Sequence, residues 1–165
     1  MSLRSLLSTK RGPSGYGYAS TAEQVSEGLD LSGKTFIVTG ANTGLGFETC
    51  RVLVMRGASV IGTVRSTEKG EQVTSSLGER FKFVECDLSE PESIFGAATK
   101  IQSNSVNVSA VIANAGVMGL PIYEEKYGME AQFLTNHLGH FIFVNSLIDH
   151  LVPDGRVVVL SLIHI

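Results

Sequence analysis

Positive charge, cysteine and long apolar runs are all scarce in this chain. Its 13 lysines and arginines stand against 16 acids, a net charge of −3, which gives no footing for nucleic acid as a partner. The aromatic residues are mostly Phe inside apolar runs, not basic-aromatic stacking platforms. There are 2 cysteines, Cys50 in a predicted helix and Cys86 near a predicted strand end. Two are too few for a disulfide framework, and they read as buried thiols in a reducing compartment. A metal site needs more ligands at tighter spacing, so no metal is expected. No apolar run reaches the roughly 20 residues that span a bilayer, so no transmembrane segment is expected. Internal repeats and low-complexity linkers are missing too.

What is present is ample apolar content. Hydrophobic residues make up 43% of 165 residues, enough for one domain with a real core. The first 19 residues read as a separate leader. They carry Arg4, Lys10 and Arg11 with no acid before Glu23, and fit either an organelle transit peptide or a disordered segment on the domain surface. A cytoplasmic location is expected, with organelle import as the alternative. Ser20-Thr21-Ala22-Glu23 reads as a helix start, a hydroxyl cap followed three residues on by Glu.

From there strands and helices alternate. Strands are predicted at Lys34–Thr39, Ser59–Thr63, Phe81–Glu85, Val108–Ala113 and Arg156–Ser161. Helices are predicted at Leu45–Met55, Glu68–Leu77, Pro91–Ile101 and, longest, Tyr127–Leu151, the last stopped by Pro153-Asp154-Gly155. The strands are nearly continuous apolar runs, as in parallel strands covered on both faces. The class is therefore α/β, a doubly wound Rossmann-type parallel sheet of order 3-2-1-4-5 over residues 20–161. Its ligand belongs at the carboxyl ends, near the switch between the first and fourth strands.

The motifs cluster at those ends. Gly40-Ala41-Asn42-Thr43-Gly44-Leu45-Gly46 joins the first strand to the first long helix. Such a turn brings backbone N–H groups and a helix N-terminus to a pyrophosphate. After the second strand, Gly62-Thr63-Val64-Arg65-Ser66 holds no acid for a ribose 2′-OH. Arg65 instead suits a 2′-phosphate, favouring NADP(H) over NAD(H). Asp87 and Leu88 follow the third strand, where the Asp87 carboxylate either accepts the adenine amino group or opens a turn with Ser89 as a helix cap. Asn114-Ala115-Gly116 follows the fourth strand, its small residues leaving room for a ribose. Asn136 stands amid Phe133, Leu134, Phe141 and Val144, where a buried amide needs a partner. His137 and His140 share a helix face, but read as satisfied or surface histidines rather than metal ligands.

Taken together, Thr39–Gly46, Asp87-Leu88, Asn114-Ala115-Gly116 and Asn136 resemble the short-chain dehydrogenase/reductase superfamily. Val64-Arg65 and Asn136–Phe141 are similar to its retinol dehydrogenase-like and protochlorophyllide reductase-like branch. The resemblance implies an oxidoreductase that moves hydride between a nicotinamide and a small carbonyl or alcohol substrate. It implies that Gly40, Gly44 and Gly46 hold the pyrophosphate, that Arg65 meets the 2′-phosphate, and that Asp87 and Leu88 line the adenine pocket. Asn114 and Gly116 then line the ribose region, with Asn42, Thr43, Leu45 and Ala115 beside them, and Asn136 is the catalytic Asn. The family also uses a Ser after the fifth strand and a Tyr-x-x-x-Lys pair. Ser161 matches the first of two serines usual there, while Leu162 takes the place of the second. No tyrosine here is followed by lysine at that spacing. The chain is thus expected to be an incomplete frame that carries the cofactor-binding portion, binds cofactor weakly or not at all and catalyses little, with 162–165 an alternative or non-native tail. The other reading is a non-catalytic nucleotide-binding or regulatory isoform. The long helix offers a face for a homo-oligomer.

Overall fold

The computed structural model describes residues 12–17, 19–104 and 107–161. Most of the leader segment, 1–11 and 18, and the tail 162–165 lie outside them. The elements run α1 (Ala22–Val25), β1 (Thr35–Thr39), α2 (Gly44–Met55), β2 (Ser59–Val64), α3 (Thr67–Leu77), β3 (Phe81–Glu85), α4 (Pro91–Gln102) and β4 (Val108–Ala113). A two-stranded hairpin follows, β5 (Glu125–Lys126) with β6 (Met129–Glu130). Next come α5 (Ala131–Phe133), a π-helical stretch Leu134–Leu138, α6 (Gly139–Leu147), a 3₁₀ turn Ile148–His150, and β7 (Leu151–Val159).

The main sheet has the order β3-β2-β1-β4-β7, with every pair parallel. This is the expected doubly wound order, the fifth strand being β7 because the hairpin supplies β5 and β6. Successive residues of a strand face opposite sides. Ile37 and Val111 therefore join Ile94, Ile101, Phe143 and Leu147 of α4 and α6 in one core. Val38 and Val60 join Cys50 of α2 and Val73 of α3 in the other. Both cysteines are free and buried, one in each core. Strand β7 forms one edge of the sheet, and Val157, Val158 and Val159 remain exposed on it.

Four local expectations are corrected. The first helix is capped by Thr21, not Ser20, and its box closes with Gln24 rather than Glu23. Ser89 caps nothing: Glu90 is the N-cap of α4, and the Ser89 hydroxyl donates to Asp87. The helix predicted from Tyr127 begins at Ala131, because Tyr127 and Gly128 both have positive φ and turn the chain into a hairpin. That pair of torsions is the signature of a type I′ turn. Glu130 then starts the helix, its carboxylate accepting the Gln132 and Phe133 N–H groups at 2.9 and 2.7 Å. Lastly, Pro153-Asp154-Gly155 does not precede the last strand but lies within it. Leu151 pairs with Val108 and Arg156 with Ala110, so the residues between bulge out of the ladder, where a proline lacking an N–H is tolerated.

Candidate active site

A cavity of about 760 Å³ opens at the carboxyl ends of the strands. Its floor is the turn between β1 and α2. Gly40 has φ +69°, and a Cβ there would sit 3.0 Å from Ala115 Cα. Gly46 is tighter: its Cβ would meet the Gly40 carbonyl oxygen at 2.1 Å and Asn114 Nδ2 at 2.5 Å. The absence of side chains thus lets α2 abut the ends of β1 and β4. Thr43 is the N-cap of α2 and makes no side-chain capping bond. The first-turn N–H groups, beside cavity-lining Thr43, Leu45 and Gly46, are therefore available to an anion.

The end of β4 is locked to the end of β1. Thr39 is fully buried, and its hydroxyl oxygen accepts the Asn114 and Ala115 N–H groups, both at 2.9 Å. Asn114 Nδ2 donates to the Thr39 carbonyl at 2.9 Å. Just past β3, Asp87 Oδ1 accepts the Ser89 N–H at 2.9 Å and its hydroxyl at 2.8 Å. Asp87 thus opens a turn, one of the two readings left open for it. Glu90 anchors this loop to the hairpin through Lys126 and the Tyr127 hydroxyl. Lys126 first and then Tyr127 hold the Glu90 carboxyl below its usual range. Burial, reinforced by the neighbouring Asp87 charge, pushes the Cys86 thiol up to about 12, so it is no nucleophile.

Gly40, Asn42, Thr43, Leu45, Gly46, Arg65, Asp87, Leu88, Asn114, Ala115, Gly116, Asn136 and Ser161 all border this one cavity. Gly44 does not. It has φ +57° and nothing within 4 Å of where its Cβ would stand. Arg65 is exposed at the rim. Asn136 is not buried, as its apolar neighbours suggested. It opens to the cavity, where Oδ1 accepts the Val117 N–H at 2.8 Å and Nδ2 donates to the Val117 carbonyl at 2.7 Å. His137 lies against the Phe133 ring, while His140 is buried. Among the described residues no cluster of His, Cys, Asp or Glu is placed to hold a metal. None of their helices is long and apolar enough to cross a membrane.

Sequence reasoning left Thr39 and His140 out of the site. Thr39 was visible as the polar last residue of an apolar strand. His140 was visible as the residue one helical turn after Asn136.

Known proteins resemble this chain in sequence and in fold. The family model described as short chain dehydrogenase matches residues 34–163. A relative from Brassica napus, "Short-chain dehydrogenase TIC 32 B, chloroplastic", is 37% identical over 94% of this chain and 50% of its own length. Human "Retinol dehydrogenase 13" is 38% identical over 82% of this chain and 43% of its own length. The chain therefore spans about half the length of these curated relatives. Among solved structures, an uncharacterized Mycobacterium paratuberculosis protein superposes with a TM-score of 0.72 at 38% identity, over 81% of this chain and 47% of that one. A metagenomic short-chain oxidoreductase in complex with NADP gives 0.63 at 27% identity, over 73% of this chain and 57% of that one.

Proposed function

The chain belongs to the short-chain dehydrogenase family, and on that premise we propose that it is the dinucleotide-binding portion of an NADP(H)-dependent oxidoreductase. The nicotinamide would supply or accept the hydride, and the substrate would be a small carbonyl or alcohol. The observation that carries the cofactor preference is Arg65. It borders the same cavity as the glycine turn, on a loop without an acid. A guanidinium there pairs bidentately with a 2′-phosphate and gains nothing from a 2′-hydroxyl. The fit of a dinucleotide is supported by the uncapped α2 N-terminus and by Gly40 and Gly46, where a Cβ would push the glycine turn away from the ends of β1 and β4.

In this reading Gly40–Gly46 receives the pyrophosphate, Asp87 and Leu88 the adenine, and Asn114–Gly116 the ribose. Asn136 and Ser161 stand at the reacting end. These 165 residues hold no Tyr-x-x-x-Lys pair. A missing positioned general acid typically costs about 10²–10⁴-fold in rate, so the chain by itself binds NADPH and turns over little. A cytoplasmic location is proposed with it; the chloroplastic relative and the basic, acid-free leader support organelle import as the alternative.

Fluorescence titration tests the reading. The wild-type chain is expected to bind NADPH more tightly than NADH, and Arg65→Ala to remove a preference of about tenfold or more. Preference that survives Arg65→Ala, or brisk NADPH-dependent carbonyl reduction by the chain alone, would overturn it.

A further inference from the structure

His140 is 7% exposed, does not border the cavity, and has no role in the reading above. Its two ring nitrogens are nonetheless both engaged, Nε2 with the Thr39 hydroxyl at 2.8 Å and Nδ1 with the Asn136 carbonyl at 2.9 Å. Proton accounting fixes the directions. A hydroxyl offers one proton and two lone pairs. Thr39 Oγ1 already accepts two N–H groups, from Asn114 and Ala115. Its own proton is therefore what lies between oxygen and Nε2, so Nε2 accepts. The Asn136 carbonyl can only accept, so Nδ1 carries the ring proton. The imidazole is held neutral and in one tautomer by partners from two distant parts of the chain.

Those partners matter because each adjoins the cavity. Thr39 precedes Gly40, while Asn114 and Ala115 directly follow β4. Asn136 sits in the π-helical stretch and clasps Val117 through its side chain. His140 is the link that joins the β1–β4 lock to the Asn136 clasp. We propose that His140 is a positioning residue of the dinucleotide site, an Nδ1–H imidazole that ties Thr39 to the Asn136 carbonyl and so holds the cavity floor and the reacting end in one register. This rests on the dinucleotide reading of the cavity.

Two measurements test it. The first is the nitrogen chemical-shift signature of His140 at neutral pH in the ligand-free chain. An Nδ1–H tautomer is expected; an Nε2–H tautomer or an imidazolium overturns the assignment. The second compares NADPH affinity in His140→Phe and Leu147→Ala. Both alter buried positions of α6, but Leu147 is outside the hydrogen-bonded chain. His140→Phe is expected to bind NADPH about tenfold more weakly, the equivalent of one net hydrogen bond, with Leu147→Ala close to wild type at a temperature where both are folded. Equal affinity in the two variants overturns the positioning role, since a purely structural part would move them together. Failure of the wild-type chain to bind NADPH would instead sink the functional reading, and the tautomer signature would still decide whether the imidazole makes this link.

Discussion

Three glycines offer a test in which the same substitution should act through three different causes. At Gly46 the obstacle is contact. An alanine methyl would stand 2.1 Å from the Gly40 carbonyl oxygen and 2.5 Å from Asn114 Nδ2. Ordinary contact needs roughly 1 Å more, and neither obstacle yields easily. One is backbone, and the other is an amide bonded to the Thr39 carbonyl. Overpacking of this kind costs about 1–3 kcal/mol, and the displacement falls on the glycine turn. At Gly44 nothing lies within 4 Å, but φ is +57°, a torsion that costs an ordinary L-residue about 1–2 kcal/mol. At Gly96, exposed within α4, there is neither contact nor positive φ. Alanine there should stabilise by about 0.5–1 kcal/mol. Urea unfolding with a common m-value reads all three. Asparagine separates the first two causes, since it tolerates the left-handed region: Gly44→Asn should cost less than Gly44→Ala, and Gly46→Asn more than Gly46→Ala. A Gly46→Ala chain that unfolds at the wild-type midpoint and binds NADPH equally well would refute the close approach on which the site is built.

Other outcomes follow from single residues. Phe143 is fully buried between α6 and the sheet, so Phe143→Ala should lower unfolding free energy by about 3–5 kcal/mol in the same assay. Tyr127 holds φ +55° in a turn that favours Asn-Gly. Tyr127→Asn should raise stability by up to about 1 kcal/mol; a loss of that size would show that the hydroxyl bond to Glu90 outweighs the torsion. Burial lowers the His140 pKa below its ordinary 6.5, with the Asn136 carbonyl opposing. The unfolded chain therefore takes up this proton first, so the stability involved is complete above pH 6.5 and is lost as pH falls beneath it. Urea midpoints taken at about pH 7.5 and about pH 5.5 should diverge more in wild type than in His140→Phe, and an equal divergence would contradict the sign.

The strands were legible because burial on both faces leaves little but apolar residues. Val108–Ala113 and Phe81–Glu85 hold at both ends. The glycine turn was legible because few residues can occupy it. The misread places are those where one atom decides. Nothing in the type of Tyr127 announces a left-handed turn; a long-range bond to Glu90 accompanies it. Pro153 and Gly155 carry the usual marks of a stop, and only the pairing of Leu151 with Val108 shows the strand resuming across them. The link through His140 was hidden for the same reason, since its partner Thr39 lies 101 residues away.

The two cysteines give this fold a pair of built-in clocks. Cys50 sits in the layer formed by α2 and α3, Cys86 in the layer formed by α4 and α6, on opposite sides of one sheet. Burial lifts both thiols to about 12, so neither is a thiolate while its layer is closed, Cys86 included although it borders the cavity, and reaction with a disulfide reagent follows the opening of each layer. Two labelling rates from one unmodified chain, told apart by peptide mass, therefore time the two layers separately. If the rates coincide, the sheet opens as a single cooperative unit; if they differ, one helical layer peels away while the other still holds.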